Sequence, residues 1–168
     1  MRSSRHPQPD PITPGQESVW DYPRPPALEP TTRRLRVELG GVVVGETTAG
    51  LRVLETSHPP TYYVPLADCD QSLFTPTAGG RSFCEWKGVA SYFTVAAGGV
   101  VADAGAWTYP EPSASFASIV EHVAFYPSVF ACHVDDELVI PQPGAFYGGW
   151  ITSHVAGPFK GEPGTEWW

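Results

Sequence analysis

Cysteine is scarce in this chain of 168 residues. The three cysteines, Cys69, Cys84 and Cys132, cannot all pair with one another. They show no Cys-x-x-Cys spacing and no cysteine–histidine cluster of the kind that holds zinc. We therefore expect no metal site and no cofactor.

Positive charge is also scarce. Ten Lys plus Arg stand against eighteen Asp plus Glu, which gives a formal net charge of −8. This balance argues against a nucleic-acid backbone or an anionic membrane as the main partner. The run Arg33-Arg34-Leu35-Arg36 is the one candidate basic patch. Its pattern favours an exposed strand edge guarded by charge.

Long apolar runs are missing too. The chain has no stretch of 18 or more apolar residues, and residues 1–5 lack the apolar core of a secretory signal. These absences predict a soluble cytoplasmic protein with reduced thiols.

Proline and glycine, by contrast, are abundant, with 19 and 17 residues. They favour turns and short strands over long helices. Eight prolines fall within residues 1–30, a density that predicts an extended arm. We expect residues 1–16 to form a disordered tail and residues 17–168 a single domain, with Trp20 and Tyr22 packed on the body.

β-branched and apolar runs begin at Leu35. Residues 35–39, the turn Gly40-Gly41 and residues 42–44 predict a hairpin. Helical spacing of apolar residues predicts one α-helix near 113–126, which Pro127 ends. The fold class is therefore all-β and mainly antiparallel with one helix, as two small sheets that enclose a pocket. The other strands are predicted at 51–55, 61–65, 82–87, 90–96, 99–102, 130–134 and 137–140.

Residues 82–88 carry the densest mixture of chemically capable and aromatic side chains. Read as one strand, the segment places Phe83, Glu85 and Lys87 on one face. Ser82, Cys84, Trp86 and Gly88 then lie on the other. Because each face is mixed, the segment predicts a polar pocket inside a β fold, with residues 57–63 as its counterpart.

Four residues are candidates for catalysis. His58 precedes two prolines that aim its side chain, so it can act as a general base or polar anchor, or it can simply bond the turn. Cys84 is a nucleophile if His58 reaches it, or a small core residue. Glu85 and Lys87 can pair to recognise a charged ligand or transfer a proton, or can face solvent.

Aromatic residues supply candidate ligand contacts through stacking or cation–π interaction, although many aromatics in a small β protein belong to the core. Glycines within residues 144–149 allow the backbone to approach a ligand closely. The candidate ligand-binding residues are Tyr62, Tyr63, Trp86, Tyr109, Tyr147 and Trp150.

Long motifs lie at residues 17–26, 51–63, 83–88, 107–112, 125–126 and 141–150. Together they resemble the family known as domain of unknown function 427. The resemblance implies a small, mostly β protein of the β-tent kind, and some classifications label the family nucleotidyltransferase. Here Asp68-Cys69-Asp70 supplies an Asp-x-Asp pair without the preceding Gly-Ser turn, so we interpret both carboxylates as loop residues.

The sequence thus predicts a small-molecule binding or catalytic pocket and leaves open whether the protein is an enzyme. The alternative is an interaction or assembly module without catalysis, and nucleotidyl transfer is the third reading. Trp167-Trp168 can dock on the body or on a partner chain, which is compatible with a homodimer.

Overall fold

A computed structural model describes residues 7–84 and 86–168, and it consists mostly of strands. The strands are β1 (Glu17–Ser18), β2 (Ala27–Pro30), β3 (Leu35–Leu39), β4 (Val42–Thr47), β5 (Leu51–Leu54), β6 (Thr61–Pro65), β7 (Phe74–Cys84), β8 (Gly88–Ala97), β9 (Val100–Thr108), β10 (His122–Phe125), β11 (Ala131–Val134), β12 (Glu137–Leu138), β13 (Ile140–Pro141), β14 (Trp150–Ile151) and β15 (Val155–Ala156). Short 3₁₀ helices occupy Val19–Asp21, Leu66–Asp68, Gln71–Leu73 and Ala114–Ile119.

Two antiparallel sheets form the body. The larger has seven strands in the order β2-β5-β6-β10-β9-β8-β7, and the smaller has four in the order β12-β11-β3-β4. Parallel β1–β15 and antiparallel β13–β14 are separate pairs. The predicted all-β, mainly antiparallel class is confirmed, and none of the described sheets closes into a barrel.

The predicted hairpin at residues 35–44 is confirmed as β3 and β4. Leu35, Val37 and Leu39 are buried and alternate with polar residues, as a strand with one core face requires. At its tip, a Cβ on Gly40 would lie 2.5 Å from the carbonyl oxygen of Ala97. The backbones of the β3–β4 and β8–β9 tips are therefore in contact, which fixes one sheet against the other.

The space between the two sheets is filled by the main core. Alternate residues of β6 and β10, such as Val64, Val123 and Phe125, point into it and pack against β3, β4 and β11. The opposite face of the larger sheet carries a second cluster that includes Tyr63, Trp107 and Tyr109. This outer face carries open space as well as packed side chains.

The segment predicted as one helix at 113–126 is a short helix followed by a strand. The 3₁₀ helix ends at Ile119, Glu121 adopts a positive φ of 58°, and β10 begins at His122. Phe116 and Ile119 fit a helical period because three residues make one 3₁₀ turn. The pairing of β10 between β6 and β9 overrides the helical pattern after that point.

Residues 82–88, predicted as one strand, form the corner of a hairpin. β7 ends at Cys84, β8 begins at Gly88, and these two residues pair. Gly88 has a φ of +109°, a conformation that favours glycine. The corner is anchored by Ser113, whose Oγ donates to the Trp86 carbonyl at 2.6 Å and whose N–H donates to the Lys87 carbonyl at 2.9 Å.

The described part of the amino-terminal arm follows the body. The N–H of Asp10 donates to the Gly157 carbonyl, and the side chain of Gln16 donates to the Ser153 carbonyl. Trp20 and Tyr22 pack on the body with Leu54 and Val155, as expected. Within the described residues, no helix has the length and apolar composition that a membrane span requires.

Candidate functional site

A cavity of about 310 Å³ opens on the outer face of the larger sheet. Its wall comes from β5 to β9, and residues 142–148 together with Lys160 form its rim. We call it the aromatic cavity, because eight of the side chains that line it are aromatic: Tyr63, Phe83, Tyr92, Trp107, Tyr109, Tyr126, Phe146 and Tyr147. The other lining residues are Val53, Glu55, His58, Pro59, Thr61, Ser82, Cys84, Lys87, Gln142, Gly148 and Lys160.

Six of the predicted site residues meet in this cavity, namely His58, Tyr63, Cys84, Lys87, Tyr109 and Tyr147. Glu85, predicted as the partner of Lys87, lies outside the described residues. The structure places Tyr62, Trp86 and Trp150 elsewhere.

Tyr62 and Tyr63 cannot share a pocket because they are neighbours on strand β6 and point to opposite faces. Tyr62 packs against Trp150 with ring centroids 5.1 Å apart and lines a second, polar cavity that contains Arg52. Trp150 is fully buried in the main core, where its indole N–H donates to the Phe125 carbonyl at 3.2 Å. Trp86 packs against the second core cluster beside the cavity.

Gln142 fixes the chemical state of His58. The Oε1 atom of Gln142 accepts from the N–H of Gly149 at 3.1 Å, and its Nε2 donates to the carbonyl of Lys160 at 2.8 Å. Since these backbone roles cannot be exchanged, the orientation of the amide is set. Its Nε2 lies 3.1 Å from His58 Nδ1, so Nδ1 is the acceptor and the imidazole proton is on Nε2.

His58 is neutral at physiological pH. Burial, and after it the positive charges of Lys160, Arg24 and Lys87, together lower its pKa to about 4. Its Nε2 lies 3.6 Å from Glu55 Oε2, and Glu55 also faces Arg24 at 3.4 Å. With Nδ1 accepting and Nε2 protonated, His58 offers a donor and has no free lone pair for proton abstraction.

A strained residue positions His58. Ser57 is fully buried and has a φ of 74°. Its hydroxyl has no hydrogen-bond partner among the described residues. Its N–H donates to the Val19 carbonyl, and its carbonyl accepts from the N–H of Lys160. Strain of this kind persists where surrounding contacts over-determine the backbone.

We expect Ser57→Gly to raise the free energy of unfolding by about 1 kcal/mol, because glycine relieves the left-handed strain and removes an unsatisfied buried hydroxyl. Urea denaturation measures the change. Ser72→Gly, at an exposed site, is the comparison variant. A loss of stability in Ser57→Gly, whatever the effect of Ser72→Gly, would contradict this account of Ser57.

Tyrosines form the inner wall. Tyr63 is 1% exposed, and burial raises its pKa. The indole of Trp107 and the hydroxyl of Tyr109 lie near enough to lower that pKa in part, but neither meets the geometry of a hydrogen bond to the Tyr63 hydroxyl. Burial also raises the pKa of Tyr109, and that of Tyr126 to about 12. These hydroxyls remain protonated and act as donors.

Cys84 lines the cavity beside Tyr109, whose pKa is raised in part by the thiol. Lys87 extends from the hairpin corner, and its Nζ lies 5.8 Å from the centre of the Tyr109 ring. This cation–π contact leaves the donors of the ammonium group available.

Several lining residues were not predicted from the sequence. Trp107, Tyr92 and Tyr126 come from strands or strand ends, and Glu55, Gln142 and Lys160 come from loops. Gln142 carried one usable signal: an amide between Pro141 and Pro143 sits on a backbone with little freedom.

Comparison with known proteins identifies the family. The sequence profile described as Domain of unknown function (DUF427) matches residues 27–139, more than half of the chain. The chain belongs to the DUF427 family. A search of curated proteins gave no match. The matched residues include the strand wall of the cavity, whereas Gln142, Tyr147 and Lys160 lie after them.

The family's short name, NTP_transf_9, refers to nucleotidyl transfer. In this DUF427 chain, Asp68 accepts from the hydroxyl of Thr47 at 2.7 Å and Asp70 caps a 3₁₀ helix through the N–H of Ser72. Both carboxylates thus have local structural partners. Within residues 7–84 and 86–168, His, Cys, Asp and Glu side chains form no cluster of three that could hold a metal ion.

Proposed function

We propose that this DUF427 protein binds a small organic molecule with a flat ring in the aromatic cavity. The observation that carries the proposal is the cavity itself: about 310 Å³ lined by eight aromatic side chains and a few convergent polar groups. This volume is at the small end of the range for small-molecule sites, which suits a ligand built on one or two rings. Aromatic walls supply stacking contacts for such a ring.

Binding fits the polar groups better than acid–base catalysis does. A general base needs a lone pair directed at the substrate near neutral pH. His58 has its acceptor nitrogen occupied by Gln142, and the pKa values of Tyr63 and Tyr109 are raised. The same arrangement withholds from Cys84 the histidine base that the nucleophile hypothesis requires.

A protein-interaction role has one observation in its favour. Phe83 and Phe146, on the rim of the cavity, expose 77% and 76% of their surface. Exposed phenyl groups of this kind occur where a partner docks. If the rim serves a protein, Phe83→Ser and Phe146→Ser should abolish complex formation while small molecules leave the melting temperature unchanged.

The test of ligand binding is thermal-shift screening against a library of neutral and charged ring compounds. A compound at 100 times its Kd stabilises the native state by about 2.7 kcal/mol, so a ligand is readily detected. We expect at least one ring class to raise the melting temperature. A folded sample that responds to no ring compound would overturn the proposal.

Tyr63→Phe supplies the accompanying variant. Because the Tyr63 hydroxyl is buried without a partner, we expect its removal to leave the free energy of unfolding unchanged or raised by up to about 1 kcal/mol. The same change should reduce the shift caused by ligand, since a ligand that displaces the packing over this buried hydroxyl supplies the acceptor it lacks. Tyr62→Phe, on the opposite face of the same strand, should keep the full ligand-induced shift. Equal ligand-induced shifts of the melting temperature in the two variants would show that the Tyr63 hydroxyl does not contact the ligand.

A further inference from the structure

The chain contains only two lysines, Lys87 and Lys160, and both line the aromatic cavity. They come from unrelated parts of the sequence, one from the β7–β8 corner and one from a loop after β15. In a protein with a formal net charge of −8, the convergence of both lysines on one cavity makes this a local site of positive charge.

Neither lysine forms an ion pair with an Asp or Glu side chain of the described residues, whereas five arginines do. Lys160 Nζ donates to a main-chain oxygen of Trp168, the last residue of the sequence, at 3.2 Å, and Lys87 Nζ lies over the Tyr109 ring. An ammonium group has three donors, so each lysine retains unused capacity. The paired arginines are Arg24, Arg33, Arg34, Arg36 and Arg52.

The described carboxylate in the cavity wall is already engaged. Glu55 faces Arg24 at 3.4 Å and the imidazole of His58 at 3.6 Å. The same positive charges act on His58: after burial, Lys160, Arg24 and Lys87 each lower its pKa, because they disfavour a further positive charge there.

Other polar groups of the cavity wall also favour a ligand that carries hydrogen-bond acceptors. The hydroxyl of Tyr63, which has no partner among the described residues, is a donor, as are the two ammonium groups, whereas the protonated Nε2 of His58 faces Glu55. A ligand that satisfies this wall must bring acceptor atoms and negative charge.

We propose that the ligand is a ring compound with a carboxylate, and that this carboxylate binds the ammonium groups of Lys87 and Lys160 while the ring lies against the aromatic wall. This inference rests on the proposed function. Each of the two ammonium groups can bind one oxygen of a single carboxylate, whereas a nucleoside triphosphate brings more charge than they neutralise and more bulk than a cavity at the small end of the range accepts.

Calorimetric titration with matched probes tests the inference. Benzoate and indole-3-carboxylate are compared with benzamide and indole-3-carboxamide, which keep the ring and lose the charge. We expect each carboxylate to bind about 10- to 100-fold more tightly than its amide, the difference that a charge-assisted hydrogen bond makes. Lys87→Met and Lys160→Met should each remove most of that preference. Arg81→Met, which deletes an exposed cation outside the cavity, should keep it.

The outcomes separate this inference from the proposed function. Amides that bind as tightly as carboxylates would overturn the anionic ligand and leave the ring-binding cavity standing. Carboxylate preference that survives in Lys87→Met and in Lys160→Met would overturn the role of the lysines. If none of the probes binds while other ring compounds raise the melting temperature, the carboxylate is again refuted and the cavity retained. If no ring compound of any kind binds, both proposals fail.

Discussion

Acidification from pH 7 to pH 5 is expected to reduce the free energy of unfolding by about 2 kcal/mol through His58 alone. The pKa of this imidazole falls from 6.5 to about 4 on folding, because burial and three nearby cations oppose its charge. The unfolded chain therefore binds a proton below pH 6.5, and the folded protein does not until about pH 4. Stability is full above pH 6.5 and is lost as pH falls through this window, to a limit of about 3 kcal/mol.

Urea denaturation at pH 7 and at pH 5 measures this loss. His58→Gln removes the titrating group, so its stability should change much less between the two pH values. His122→Gln deletes a histidine outside the cavity and is the matched control, in which the loss should persist. The hydrogen bond to Arg52 is the main cause of the lowered pKa of Glu17. Protonation of Glu17 therefore reduces stability only as pH falls below 4.5, outside the interval from pH 7 to pH 5 in which His58 is measured. Equal pH dependence in the wild type and His58→Gln would refute the neutral, buried imidazole.

Replacement of Gln142 by leucine is expected to cost about 3 kcal/mol of stability. Gln142 is 4% exposed, and its amide satisfies the N–H of Gly149 and the carbonyl of Lys160 as well as His58. Leucine has nearly the same size but no polar atoms, so both backbone groups would be left unpaired. Each unsatisfied buried group costs about 1–3 kcal/mol.

Gln142→Glu provides a sharper comparison. The carboxylate can still accept from Gly149, but it no longer donates to His58 Nδ1 and instead favours a proton there. We expect the pKa of His58 to rise in this variant, and the loss of stability between pH 7 and pH 5 to shrink accordingly. NMR titration of the His58 ring protons measures that pKa directly. Two results would show that Gln142 does not control the histidine. One is a loss of stability in Gln142→Leu of less than about 0.5 kcal/mol, and the other is an unchanged His58 pKa in Gln142→Glu.

The strand framework could be predicted from the sequence where local signals agreed. Alternation in residues 35–39 and the Gly40-Gly41 turn specified β3 and β4, because pattern and turn chemistry pointed to the same hairpin. In residues 113–126, an apolar spacing compatible with a helix was overridden beyond Ile119 by the pairing of β10 with β6 and β9. Pairing between distant strands leaves no local mark, so this change could not be predicted.

The site, too, could be predicted only where local sequence signals exist. His58, Cys84 and Lys87 stood out because their types and neighbours are unusual, and the structure places all three around one cavity. Strict application of strand alternation would have separated Tyr62 from Tyr63, and a glycine directly after Lys87 was a turn signal. Gln142 and Lys160 reach the cavity through loops, and their approach to residues 53–63 depends on the whole fold.

The restriction of lysine to the cavity has a practical consequence for handling the protein. Apart from the α-amino group that every chain carries, amine-directed reagents such as succinimidyl esters can modify only Lys87 and Lys160. Coupling to a sensor surface through the lysine amines would therefore obstruct the cavity, and so would coupling through the thiol of Cys84, whereas affinity-tag attachment uses neither side chain. The same selectivity turns lysine acylation, followed by mass spectrometry, into a footprint of whether the cavity is occupied.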